Sequence, residues 1–358
     1  MTPERIAIRA RDTESVVWVG RGALDDPGRF LVSESGRWLL VSSRNAGAAA
    51  ARLRDALSPH AILDLEIDDS EEAKTLEVVR TIADRALEAG VRRDDAFVAA
   101  GGGVVTDLVG FAAAIVLRGV PWNAVPTTVA GMADAAIGGK TGVDHPLGKN
   151  LIGAFHPPRA ILVDPSAAAT LPDRDYRSGL VEAFKAAWIA DEDLARRAES
   201  GVGRLLARDE DALFELLLGA VRVKAEVVES DPFERGPRRV LNFGHTLGHA
   251  FEAAGGYRTL RHGEAVAWGI AAALAISLDR AGLSDADAVR IRSVLGRLGP
   301  FPEPDRSPGA LEPLLLRDKK ATSRGLSGVL LEAIGRARVE EAIPVSDWIA
   351  AAERAAIG

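Results

Sequence analysis

Two histidines four residues apart carry the strongest chemical signal in this chain. In Asn242-Phe243-Gly244-His245-Thr246-Leu247-Gly248-His249, that spacing places both imidazoles on one face of a helix, as two ligands of one ion or as one ligand and one base. The glutamate of a metalloprotease His-Glu-x-x-His is missing, because Thr246 occupies its place, so protease chemistry is disfavoured. A third histidine, His262, opens the next helical stretch after the Gly255-Gly256 turn. Any one of them alone reads as a structural histidine, but three of the six in the chain fall between positions 245 and 262, which points to a common site. Glu182 lies inside an apolar helical segment with Lys185 one turn later. A buried carboxylate needs a cation to stay ionised, and either a Glu–Lys ion pair or a metal–carboxylate bond supplies one. The chain contains no cysteine, so any metal must sit on His, Asp or Glu.

A second group of residues suits anions. Phe97-Val98-Ala99-Ala100 runs into Gly101-Gly102-Gly103 and then a helix beginning near Val104. A strand that feeds glycines at a helix start offers backbone N–H groups and the positive end of the helix dipole to a pyrophosphate, although the Gly-x-Gly-x-x-Gly spacing is not met and a plain tight turn would read the same. Asp107 is placed to meet a ribose or nicotinamide group, or to complement the dipole. Pro126-Thr127-Thr128 closes the next strand and sets two hydroxyls at a strand end, where open α/β sheets bind ligands. The stretch from Gly138 to Asn150, read as loop-like, combines Lys140, Lys149, Asn150 and several glycines as a phosphate or carboxylate site would. Lys224, Arg238 and the Asp318-Lys319-Lys320 turn add positive charge.

The elements that must position these groups divide the chain in two. Val16–Val19, Trp38–Ser42, Ala61–Leu65, Ala96–Ala100 and Trp122–Val125 are predicted strands. Ala46–Leu57, Glu71–Ala89 and Val104–Leu117 are predicted helices between them, and the alternation implies a largely parallel sheet covered by helices. Beyond Leu171-Pro172 the periodicity is helical over Asp173–Ala190, Glu210–Glu229, Arg239–Ala254, Gly263–Ala281 and Asp285–Leu298, with one late hairpin, Val329–Ala333 with Arg338–Ile343, around Gly335. The expectation is an α/β domain over residues 1–170 and a mostly α-helical domain over 171–358. A net charge of −7 argues against broad nucleic-acid or anionic-membrane binding. Met1–Ala10 lacks the apolar core of a signal peptide, and the longest lipophilic stretch, Ala265–Leu278, is too short and Ala-rich to span a bilayer, so a cytoplasmic protein is expected.

Taken together, the motifs resemble those of the 3-dehydroquinate synthase family. Gly138-Gly139-Lys140-Thr141-Gly142, His145-Pro146-Leu147-Gly148-Lys149-Asn150-Leu151-Ile152-Gly153-Ala154-Phe155 and Leu241-Asn242-Phe243-Gly244-His245-Thr246-Leu247-Gly248-His249 occur in order and at the family's separations, within a likeness running from about Trp38 to Ile334. The resemblance implies a dehydroquinate synthase-like fold with an NAD-binding first domain and a metal- and substrate-binding second. It implies zinc or cobalt held by Glu182, His245 and His262, with His249 as an acid/base or orienting residue. NAD would be met by Gly102, Gly103, Asp107, Thr127, Thr128 and Lys149, with Glu71 and Lys74 near the adenosine ribose. Substrate groups would be met by Asp134, Lys140, Asn150, Lys185, Lys224, Arg238, Asn242 and one or both of Lys319 and Lys320, with Glu234 in the same pocket. Arg118 matches an arginine lent across a homodimer interface.

The activity so implied turns 3-deoxy-D-arabino-heptulosonate 7-phosphate into 3-dehydroquinate and phosphate, a step towards aromatic amino acids, by transient oxidation, phosphate elimination, re-reduction and ring closure. The sequence departs from the family at Ser43-Arg44-Asn45, where many relatives carry Asp at the Ser43 position, and at Ala186, which often is aromatic. Adenosine contacts are therefore expected to differ. Rival readings are a cyclase acting on an amino analogue or a sedoheptulose phosphate, a metal-dependent polyol dehydrogenase, and a silent binding protein. The lysine and arginine set favours a substrate with two anionic ends.

Overall fold

The structure is a computed structural model that describes residues 2–10, 13–317, 321–322 and 325–357. In chain order the first elements are β1 (Glu4–Ala10), β2 (Thr13–Val19), β3 (Trp38–Ser43), α1 (Gly47–Leu57), β4 (Ala61–Ile67), α2 (Leu76–Glu88), β5 (Ala96–Gly101), α3 (Gly103–Ile115) and β6 (Trp122–Pro126). Then come β7 (Lys140–His145), β8 (Gly148–Phe155), β9 (Ala160–Val163), α4 (Asp173–Ala190), α5 (Glu192–Ser200), α6 (Val202–Leu206) and α7 (Glu210–Ser230). The chain ends with α8 (His245–Ala254), α9 (His262–Arg280), α10 (Asp285–Leu298), α11 (Pro308–Leu316), β10 (Ala321–Thr322), β11 (Gly325–Ala333), β12 (Arg336–Ile343) and α12 (Val345–Arg354). Two compact units result, one of Met1–Pro172 with Leu213–Phe233 and one of Asp173–Ala212 with Glu234–Gly358.

The first unit is built on a seven-stranded sheet in the order β1-β2-β9-β6-β5-β3-β4. Every neighbouring pair is parallel except β1 with β2. Strands β3, β5 and β6 are buried at every position, as expected for parallel strands covered on both faces. The chain leaves β3 towards β4 on one side and leaves β5 towards β6 on the other. The carboxyl ends of β3 and β5 therefore flank a topological switch point, where such sheets bind their ligands. The Gly138–Asn150 stretch is not the loop expected from its glycines and lysines. It forms most of an antiparallel hairpin, β7 with β8, in which Lys140 pairs with Phe155 and Gly142 with Gly153. The pattern is hidden because no position of β8 is fully buried, so the strand lacks the alternation of a half-buried one.

The second unit is mostly helical, and its core gathers Leu247, Phe251, Trp268, Leu311, Leu330 and Trp348 from α8, α9, α11, β11 and α12. The late hairpin is present as β11 and β12 with Gly335 in the turn at φ +83°, and β10 adds a third strand. One expected helix is divided: Arg239–Ala254 is a 3-10 turn over Pro237–Asn242 followed by α8, with Gly244 between them at φ +79°. That left-handed residue is what lets the chain reverse and start a fresh helix at His245.

Helix α9 approaches both α4 and α8 at main-chain distance. A Cβ added at Gly263 on α9 would lie 1.9 Å from the Ser178 carbonyl oxygen of α4, and one added at Gly269 would lie 1.8 Å from the Gly244 carbonyl oxygen at the head of α8. Both collisions are with backbone, so no side-chain rotation relieves them. Gly269→Ala should cost at least about 3 kcal/mol through overpacking, seen as a drop in Tm on the order of 10 °C. An unchanged melting curve would mean that the helices do not sit this close.

Candidate active site

Glu182 on α4 is buried, and its Oε1 lies 3.6 Å from Nε2 of His262 and 4.0 Å from Nε2 of His245. One ligand atom from each of these three residues falls within 4.8 Å of the others. On the far side, Lys185 Nζ stands 2.6 Å from Oε2, so the two readings open at the sequence level both have a place, one on each oxygen. Neither Glu182 oxygen accepts a well-aligned hydrogen bond among the described residues. A buried carboxylate oxygen facing two imidazole nitrogens and no hydrogen-bond donor is a site that a cation completes.

The protonation of His245 sharpens the point. Its Nδ1 is 3.1 Å from the Phe243 carbonyl oxygen, which can only accept, so Nδ1 carries the proton and Nε2 presents its lone pair to Glu182. Burial, then the Lys185 charge and the other two histidines, hold His245 well below the usual imidazole range. It is a neutral donor. One carboxylate and two imidazoles, with no thiolate, suit zinc or cobalt, and three protein ligands leave a position open for substrate oxygen. A second trio, His249, Glu252 and His262, also satisfies the distance test. Its His249 is exposed, with its ring 5.3 Å from that of His245, which fits an acid/base group beside an ion better than a ligand of it.

Elsewhere in the second unit, Asn242 Nδ2 donates to Glu234 Oε1 at 2.7 Å, joining two of the predicted residues. Arg238 is almost fully buried in the 3-10 turn that precedes His245.

The first unit gathers several of the other predicted residues near the sheet's carboxyl end, whereas Arg118 lies in the turn between the end of α3 and the start of β6. Gly102 caps α3, and a Cβ there would lie 3.0 Å from Thr128 Cγ2, so the glycine keeps open a space beside two helix-start N–H groups. Thr128 Oγ1 accepts from Gly131 N at 3.0 Å, and Thr127 N donates to Gly101 O at 2.9 Å. Lys74 Nζ pairs with Asp107 at 2.6 Å and donates to Asn150 Oδ1 at 2.6 Å, while Lys149 Nζ pairs with Glu71 at 2.9 Å. Burial pushes the Asp107 carboxyl up to about 6 against the pull of Lys74. The Lys74 ammonium is buried too, yet Asp107 and Glu71 keep it above its ordinary value. Asn150, expected among the substrate residues, is thus wired to those expected around the cofactor. Asp134, on the π-helical turn Gly131–Ala135, is ion-paired with Lys224 of α7. Lys140 begins β7 and is exposed, as is Arg118.

Arg118, Asn150 and Glu234 hold a left-handed backbone, with φ of 65°, 55° and 55°, as do Leu117, Arg208, Tyr257 and Ala342.

Known proteins match most of the chain. Residues 64–178 match the 3-dehydroquinate synthase N-terminal domain and residues 179–321 the C-terminal domain. The chain belongs to the 3-dehydroquinate synthase family. A 3-dehydroquinate synthase of Geobacter metallireducens is 45% identical over 274 residues, 76% of either chain. Among solved structures, 2-epi-5-epi-valiolone synthase from Streptomyces hygroscopicus, with NAD+ and Zn2+ bound, is 30% identical and superposes with a TM-score of 0.83 over 97% of both chains. A 2-deoxy-scyllo-inosose synthase complexed with carbaglucose-6-phosphate, NAD+ and Co2+ shares the fold, with a TM-score of 0.87 over 99% of this chain and 100% of that one, at 23% identity.

Membership of the 3-dehydroquinate synthase family frames what the sequence reading missed. At the Ser43 position, where Asp is expected from the resemblance, Ser43 Oγ donates to Asp69 Oδ2 at 2.5 Å, and Asn45 Nδ2 donates to Asp69 Oδ1 at 2.7 Å. A carboxylate therefore stands beside the end of β3 after all, brought from the end of β4. Ala186 is buried inside α4. Glu252, also passed over, lies 3.2 Å from His262 Nδ1. Its signal was there to read, since it falls three residues after His249 on the same helix. Lys319 and Lys320 lie outside the described residues.

Proposed function

We propose that this protein converts 3-deoxy-D-arabino-heptulosonate 7-phosphate to 3-dehydroquinate and phosphate, using NAD and one divalent ion, zinc or cobalt. The observation that carries this reading is Glu182 Oε1 facing the Nε2 atoms of His245 and His262 in a chain of the 3-dehydroquinate synthase family. When bound, NAD takes and returns a hydride, and the metal polarises the oxygen being oxidised.

The chain's own residues then hold, orient and neutralise. Glu182, His245 and His262 hold the ion, and Lys185 balances the second oxygen of Glu182. Gly102, Gly103, Thr127 and Thr128 receive the pyrophosphate end of NAD, while Asp107, Lys74, Glu71 and Lys149 form the polar network for its ribose and nicotinamide parts. Lys140, Asn150, Lys224, Arg238, Asn242, Lys319 and Lys320 meet the substrate's carboxylate and phosphate, fixing both ends of a flexible molecule through successive steps. Asp134 positions Lys224 and Glu234 positions Asn242, consistent with their observed pairings. His249 moves a proton to or from the substrate. The protein works in the cytoplasm as a homodimer in which Arg118 reaches the partner's substrate; exposure of Arg118 and its constrained backbone support this. No helix among the described residues is long and apolar enough to cross a membrane.

The test is an assay of purified protein with the heptulosonate phosphate and catalytic NAD. Phosphate should be released with no net build-up of NADH, and a chelator should abolish turnover. Steady NADH production from a simple polyol would instead identify a dehydrogenase, and preference for an amino analogue or a sedoheptulose phosphate would identify a sister cyclase.

A further inference from the structure

Both imidazoles that face Glu182 are held from behind, but by different means. His245 donates from Nδ1 to a main-chain carbonyl, that of Phe243, and only 9% of its side chain is exposed. His262 has 42% of its side chain exposed, so packing constrains its ring far less. What stands behind it is Glu252 Oε2, 3.2 Å from Nδ1, on a carboxylate only 3% exposed. An ionised carboxylate can accept and never donate, so it selects the imidazole tautomer with the proton on Nδ1. The remaining nitrogen, Nε2, then turns its lone pair towards Glu182 Oε1, 3.6 Å away.

We propose that Glu252 is the positioning residue of the metal site, fixing the ring and tautomer of His262 so that Nε2 is offered to the ion. The proposal rests on the metal reading given above. Glu252 is not itself a ligand in this arrangement, because the two nitrogens of an imidazole point away from each other and Glu252 occupies the side opposite the ion. One helix, α8, thereby supplies His245 as a ligand and, two turns on, the acid that aims the ligand of α9. Gln is close in shape but ambiguous at this place: it can turn either its oxygen or its NH2 group to Nδ1, and the second choice favours the wrong tautomer.

The experiment uses the full-length protein, stripped of metal and titrated with zinc or cobalt against a chromophoric chelator. Glu252→Gln should bind either metal about ten- to a hundredfold more weakly, with an altered d–d absorption band in the cobalt form. The metal-free variant should melt close to wild type. Unchanged affinity with an unchanged cobalt band would overturn the proposal, and a lowered melting temperature with unchanged affinity would do the same by assigning Glu252 a purely structural role. Glu182→Gln and His245→Ala form the second arm. If these two bind metal as wild type does, the metal reading itself fails, whatever Glu252 does. If Glu252→Gln abolishes binding while Glu182→Gln retains it, the ion sits on His249, Glu252 and His262, and the positioning role is refuted.

Discussion

Replacing His245 by Ala should remove the metal and lower turnover by about a thousandfold or more, whereas His249→Ala should keep one ion per chain and still be slow. The first effect follows from coordination. His245 supplies a neutral, fully oriented Nε2 at a buried point, and with it gone only Glu182 and His262 remain. Polarisation of a substrate oxygen by a bound ion is worth several kcal/mol, and each 1.36 kcal/mol or so is a factor of ten in rate. The second effect follows from exposure. His249 stands on the same helix face with its ring 5.3 Å from that of His245; if it serves as the proposed acid or base, its loss costs roughly a hundred- to ten-thousandfold. Metal content by elemental analysis, set beside kcat, separates the two. Equal metal loss in both variants would end the division of roles.

Lys185→Met is expected to be the most destabilising of the polar substitutions in the second unit, and its effect should depend on metal. Lys185 and Glu182 expose 2% and 1% of their side chains. Removing one partner of such a pair leaves an uncompensated buried charge, at a cost of about 3–5 kcal/mol. That corresponds to a drop in Tm on the order of 10 °C for the metal-free protein. A divalent ion on the other oxygen of Glu182 offsets the missing ammonium, so saturating zinc should recover more stability in the variant than in the wild type. Calorimetric melts of both proteins, with and without zinc, give the four numbers needed. If the metal-free variant melts like wild type, Lys185 is not what balances Glu182.

The chemistry of the site was more legible in the sequence than its scaffold. Two imidazoles at i and i+4 and a carboxylate inside an apolar helix are patterns of residue type, and such patterns survive without coordinates. What they did not disclose was which nitrogen each ring presents. That depends on Phe243 O, placed by a backbone reversal at Gly244 that periodicity reads as continuous helix, and on Glu252, which meets His262 from the neighbouring helix. The hairpin of β7 and β8 escaped because its glycines and lysines look like loop chemistry, and its exposed face lacks the apolar alternation that marks a half-buried strand. The four residues of β9 are too few to show a period, although all are buried. Helix α7 was legible as a helix. Nothing in its sequence indicates that Leu213–Phe233 would join the first unit, since that is a property of contacts rather than of pattern. The Ser43 departure was visible, but the Asp69 that stands beside it belongs to a different strand end.

The glycines at the crossings of α4, α8 and α9 have a consequence for how this centre can change over time. Because α9 meets both α4 and α8 through main-chain atoms in contact, the spacing of the helices that carry Glu182, His245 and His262 has no soft side-chain layer through which it could widen in small increments. Substitution there produces a step and not a gradient. Substitutions at Gly263 or Gly269 therefore act on the gap between Glu182, His245 and His262 all at once or not at all.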